Sequence, residues 1–309
     1  MVFLYGVLGG IGVGIAYNCP IVTVGRWFPD KRGLALGITL FGFGFSAAVI
    51  APILDLLTSR FGIFNSLRIL GIAFFVITMV SASFLRFPDK QRETENLKME
   101  GKRSVLAELS REEIVKTRTF YGLWSSFAIG TLAGLMAIGI SKPAGLEVAE
   151  NAGIPEDTVS AVLTALMVPF ALLNGLGRPF FGALVDRFGP RKTAMLSFSL
   201  IFSASLVLFL IPYSLEVYAI AFGVLWFNLG GWLATAPAST AYFFGLKDYA
   251  RNYGLVYTAY GVGAVAGNLL AGLSKDILGS YLMVFQFVML LAVIGTIVAF
   301  ATLKPLKAQ

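Results

Sequence analysis

The sequence predicts an all-α membrane protein with nine transmembrane helices, three in a first group and six in a second. Three observations carry that expectation. Hydrophobic residues make up 57% of the 309 residues and charged ones only 13%, with a mean hydropathy of +0.80, whereas a soluble domain carries about a quarter charged residues. Nine apolar runs reach membrane length, roughly 20 residues for a hydrocarbon core of about 30 Å. The runs are continuous rather than alternating, so they read as helices and not as barrel strands. Finally, 19 of the 24 Lys and Arg residues fall in alternate connections on one side, four fall on the other, and Arg178 lies inside a span. That asymmetry assigns the basic side to the cytoplasm.

The spans are expected at 2–26, 33–57 and 66–85, then at 119–141, 158–184, 193–212, 215–244, 251–274 and 280–303. The first is rich in glycine, which lets helices approach closely in lipid, and Pro20 is positioned to kink its inner half. Residues 1–86 thus form a first bundle of three spans, 87–118 a cytoplasmic connecting segment, and 119–309 a six-helix bundle. The connecting segment carries both signs of charge and an S-x-x-E helix start at Ser110 and Glu113. It is too short and polar to bury a core of its own.

Charge and composition also exclude functions. The net charge of +7 is distributed by topology, so it argues for a bilayer and against a nucleic-acid partner. There is one cysteine, Cys19, and no histidine, so neither an intrachain disulfide nor the commonest metal ligand is available. No nucleophile, base and metal-ligand set converges, so an enzyme is not expected, nor a cofactor. No acid occupies a clear mid-span position that could pair with Arg178.

Asn174 to Lys192 reads NGLGRPFFGALVDRFGPRK. A helix leaves an apolar run, passes Arg178, and enters a hairpin in which Gly182 and Gly189 bracket Asp186 and Arg187, with Arg191 and Lys192 following. The spacing G-x-x-x-D-R-x-G-x-R-K resembles the loop signature of the major facilitator superfamily. GIAYNCPIVTVGRWFPDKRGLALGI, AGLMAIG, NGLGRPFFG and RNYGLVYTAYG resemble the oxalate/formate antiporter family within it. A repeat accompanies the motif: Pro20, Arg32, Gly42, Gly44 and Gly62 run parallel to Pro237, Arg251, Gly261, Gly263 and Gly279. Spans one to three therefore read as a copy of spans seven to nine in the same orientation, which is how halves of such transporters are related. Spans four to six have no counterpart, so against a twelve-helix family the sequence is expected to lack the first three helices.

The resemblance implies secondary transport of a small organic anion, mono- or dicarboxylate, by alternating access, as antiporter or proton symporter. It implies a monomer in the cytoplasmic membrane, with the small carboxylate and the lipid bilayer as partners. The family arginine that holds the carboxylate corresponds to Arg178. Where the family carries a lysine on its eleventh helix this chain has Tyr260, which favours a monocarboxylate or another small organic anion. Asn174, one turn before Arg178 and on its face, and Tyr257, Tyr260, Tyr17 and Trp232 are the candidate lining of the anion cavity. Asp186, with Gly182, Arg187, Gly189, Arg191 and Lys192, is expected to bind the positive end of span two at Arg32 and Gly33, as a conformational latch. Two other readings stay open at this point: an exporter of hydrophobic compounds or sugar carrier of the same fold, which would not need Arg178, and an inactive truncated remnant.

Overall fold

Glycines, rather than polar loops, set the architecture. A computed structural model describes residues 2–89 and 108–305, apart from the side chains of 2–5, 47, 48 and 51. A π-helical stretch, Val2–Gly9, runs into α1 (Gly10–Trp27), followed by α2 (Arg32–Phe84), a single turn α3 (Arg111–Ile114), α4 (Arg118–Asn151), α5 (Glu156–Leu210), α6 (Leu215–Phe244), α7 (Tyr249–Leu278) and α8 (Val284–Thr302). α2 and α5 hold 53 and 55 residues, about 80 Å at 1.5 Å per residue, far more than one bilayer. Each is folded back on itself at one glycine: Gly62 (φ 73°, ψ 163°) and Gly189 (φ 81°, ψ 164°). A side chain at either φ would be strained, so glycine lets two spans join without a loop. Both breaks follow the same Arg-Phe pair, Arg60–Phe61 and Arg187–Phe188. Counting each folded helix as two, the described residues contain the nine expected spans, and the chain is an all-α integral membrane protein.

Two boundaries differ from the sequence expectation. The fifth span does not end near Leu184 but continues to Gly189, because Asp186 and Arg187 stay helical and project from the membrane end of the helix. The fourth continues ten residues past Ser141, through Lys142 and Pro143, to Asn151. Its polar extension is held by a tertiary contact invisible in local hydropathy: the Glu147 carboxylate accepts from Ser280 Oγ, from Tyr281 N at 2.8 Å and from Lys275 Nζ at 3.4 Å.

The core lies among α4 to α8. α6 is the most enclosed helix, with 67% of its apolar window buried, while only 6% of the Pro52–Phe84 window is buried. On the basic side the connecting segment docks at its far end. Ser110 and Glu113 form the anticipated capping box, with Glu113 Oε2 accepting from Ser110 N at 2.7 Å. Those donors hold the Glu113 carboxyl below the usual carboxylate range. Glu108 accepts from Lys247 N at 2.7 Å, and Leu109 N donates to Phe244 O at 3.1 Å. Residues 90–107 of the segment lie outside the described residues.

Candidate functional site

The site is built on the crossing of α2 with the first half of α5. Small residues allow the two backbones to touch. A methyl group on Gly33 would overlap the Gly182 carbonyl oxygen, one on Gly182 would overlap that of Gly33, and one on Gly37 would overlap that of Arg178. One on Gly44 would lie 2.9 Å from Gly175 Cα and 3.1 Å from Arg178 Nε. Gly42, by contrast, has open space around it. The other copy of the repeat behaves alike: Gly261 is open, and a methyl group on Gly263 would lie 2.7 Å from Ala128 O of α4. In each pair the second glycine is the helix crossing.

Arg178 sits eleven residues before the break at Gly189, about 16 Å from the basic-side turn. It therefore lies inside the apolar span, more than two turns from Asp186 at the basic end. The residue is 2% exposed, so the guanidinium does not reach a headgroup region by snorkelling. Nη1 donates to Leu40 O of α2 at 2.7 Å and Nη2 to Asn174 Oδ1 at 3.3 Å, while Nε has no acceptor. The guanidinium carbon lies 5.4 Å from the centroid of Phe43. Among the described residues no carboxylate lies within ion-pair distance of it. A cation at that depth costs a few kcal/mol unless its surroundings compensate, and here the compensation is one helix carbonyl, one amide and aromatic faces.

Asn174 has its amide committed: Nδ2 donates to Trp226 O at 3.1 Å while Oδ1 receives Arg178. It therefore orients the arginine and ties α5 to α6. The remaining candidates are connected to this pair through rings. Tyr17 of α1 lies 5.4 Å from Phe43 and 5.4 Å from Tyr257, and Tyr257 stacks on Tyr260 at 5.2 Å. Phe127 of α4 links Tyr257 and Tyr260 to Trp232 at 6.3 to 6.5 Å. The buried hydroxyls of Tyr17 and Tyr253 face each other, and the Trp232 indole N–H is buried without a partner. The candidate lining residues from four helices thus belong to one continuous array.

Leu40, Phe43, Phe127 and Tyr253 belong to the same array and were not singled out in the sequence. Tyr253 could have been found: Tyr249, Tyr253 and Tyr257 recur at four-residue steps on one face of α7, and their rings stack in series at 6.1 and 5.6 Å. Leu40 could not, because it contributes a backbone carbonyl.

At the basic end of the same crossing, Asp186 Oδ1 accepts from Gly33 N at 2.8 Å and Oδ2 from Leu34 N at 2.9 Å. Both amides belong to the first turn of α2, where helix donors are unsatisfied and the dipole is positive. Arg32 Nε donates to Gly25 O of α1 at 3.1 Å. Arg187 lies over Phe188 and Arg191 over Phe300, at 5.2 and 4.1 Å, and Lys192 is exposed. Gly182, Asp186 and Gly33 therefore meet in one contact, Arg32 ties the start of α2 to α1, Gly189 shapes the turn, and the other three basic side chains lie over rings or in solvent.

Comparison with known proteins agrees with this architecture. The sequence profile of the Major Facilitator Superfamily matches residues 1–143 and 127–309. The chain is 30% identical over 264 residues to an oxalate:formate antiporter of Oxalobacter formigenes, covering 84% of this chain and 59% of that protein. It is 23% identical over 312 residues to apicoplast pyruvate carrier 1 of Toxoplasma gondii, covering 83% and 56%. It is 25% identical over 310 residues to monocarboxylate transporter 12 of Mus musculus, covering 91% and 61%. The chain spans about 60% of the length of these relatives. On its helices, its loop signature and these matches, the chain belongs to the Major Facilitator Superfamily and resembles its oxalate/formate antiporter family.

Proposed function

We propose that this protein carries small organic anions, monocarboxylates foremost, across the membrane by alternating access. The observation that carries the reading is a guanidinium held inside an apolar span, 2% exposed, with no carboxylate in reach among the described residues and with Nε unpartnered. An anionic guest supplies the missing charge, and the planar fork suits a carboxylate. Asn174 orients the fork, and Tyr17, Tyr257, Tyr260 and Trp232 give the guest an aromatic wall with hydroxyl and indole donors. One cation matches one negative charge, which favours a monocarboxylate over oxalate. Relatives whose names specify oxalate and formate, pyruvate, and monocarboxylates support the same class.

Asp186 acts in this scheme as the latch of the cytoplasmic side, holding the first turn of α2 and releasing it when the carrier opens inward. The positive-inside pattern supports a cytoplasmic position for residues 87–118 and the C-terminus, and in this reading the protein works in the cytoplasmic membrane as a monomer. In proteoliposomes, Arg178→Gln abolishes uptake of labelled formate while the protein still inserts and purifies as a folded species. Uptake retained by that variant would exclude the anion role, and sugar or hydrophobic-drug transport would then become the reading to test.

A further inference from the structure

The guanidinium that receives the anion is, without one, bonded across the helix crossing. Nη1 reaches the Leu40 carbonyl of α2, on the same helix whose first-turn amides Asp186 holds two turns away. α5 therefore grips α2 at two points eight residues apart on its own sequence. Between those points Gly37 and Gly182 leave no side chain that could keep the helices apart or let them slide. The grip at Leu40 differs from the one at Asp186 in being buried, 3% exposed for Leu40 and 2% for Arg178.

We propose that Arg178 is also the lock of the empty carrier, so that occupancy of the site and opening of the cytoplasmic side are coupled through one residue. This inference rests on the anion role given above. When α2 leaves α5, the Leu40 acceptor is lost. Without a guest, the guanidinium then loses its shortest, charge-assisted hydrogen bond, and opening is disfavoured by that loss. With a carboxylate on Nε and on the loosely held Nη2, the charge is already compensated, and loss of the Leu40 bond costs far less. The anion thus binds the open form better than the empty protein tolerates it, the differential that a ligand needs to shift a conformational equilibrium. The consequence is a bias set by occupancy: the empty carrier rests with its cytoplasmic side closed, and the loaded one opens.

The test reads the seam directly. Spin labels at Lys31→Cys and Phe188→Cys, in a Cys19→Ser background, report the distance between the starts of α2 and of the turn after Asp186 in proteoliposomes. Without anion, the unsubstituted site gives a single short distance. Arg178→Gln, also without anion, shifts the long-to-short ratio upward by about tenfold, the size one charge-assisted hydrogen bond supports, and Arg178→Lys by less. Adding formate lengthens the distance in the protein with Arg178 and has no effect on Arg178→Gln. An unchanged empty-state distribution in Arg178→Gln overturns the lock. So does formate binding, measured by calorimetry with Arg178 present, that leaves the distribution unmoved; that arm needs no variant at the site. If no carboxylate binds while the Arg178 variants still loosen the seam, the lock stands and the anion assignment fails.

Discussion

Two of the helix contacts that join the first three spans to the rest are built by different means. The α2–α5 crossing is backbone against backbone, with glycines at Gly33, Gly37, Gly44, Gly175 and Gly182. It is fixed by hydrogen bonds from named donors to named acceptors: Gly33 and Leu34 amides to Asp186, and Arg178 to Leu40. The α1–α7 contact is a surface of rings. Tyr17 leans on Tyr257 at 5.4 Å, a methyl on Gly25 would touch the Tyr249 ring at 3.8 Å, and the polar link from Asn18 Nδ2 to Ala250 O is long at 3.5 Å. The first contact has discrete made and broken states. The second has a shallow dependence on position, so it can adjust as the first opens. A carrier that alternates needs both kinds.

Substitutions that abolish the backbone approach carry the largest expected effect. Gly182→Val and Gly33→Val force the helices apart against carbonyl oxygens, costing upward of about 2 kcal/mol. Thermal unfolding of the purified protein should show a lowered midpoint for each, and a wild-type midpoint would mean that the crossing is not packed as described. Next comes the latch. Asp186→Asn keeps an acceptor but removes its charge, a loss of about 1 kcal/mol from the hydrogen-bond pair, visible as a roughly fivefold gain of the long distance between labels at positions 31 and 188. No change would discard the latch while leaving the anion site untouched.

The glycine pair sharpens the same comparison on a smaller scale. Gly44→Ala intrudes on Arg178 Nε and weakens formate binding, whereas Gly42→Ala, facing open space, leaves affinity unchanged; equal effects would contradict the crossing. At the ring contact the smallest effect is expected. Tyr17→Phe removes a hydroxyl whose one facing group is the Tyr253 hydroxyl and preserves the ring, so stability, read from the unfolding midpoint, falls by no more than about 1 kcal/mol. Formate affinity falls only if that hydroxyl donates to the guest, which binding calorimetry reads out separately.

What could be seen in the sequence follows from the range of each interaction. Lipid solvation acts on every residue, so hydropathy located the spans and placed their number correctly. Backbone strain acts at one residue, and the glycines at 62 and 189 were visible as punctuation, although not as breaks within otherwise continuous helices. Asp186 opposite Gly33 was legible because the loop signature and the parallel repeat together specify which helix start faces it. The end of α4 was not. Its ten extra residues owe their order to Glu147 meeting Ser280 and Tyr281, a contact spanning some 130 positions that no local pattern encodes. The arginine was the easiest site residue to find, a lone cation in an apolar run. Its bond to Leu40 was hidden, since a backbone carbonyl has no letter in the sequence.

The central claim is that the Arg178 guanidinium is neutralised by a guest. Solid-state NMR dipolar recoupling between 13C-formate and guanidinium 15N in proteoliposomes addresses it without relying on transport. A short-range coupling present with Arg178 and lost in Arg178→Lys is the predicted result. Saturable formate binding with the same coupling pattern in both proteins would contradict it.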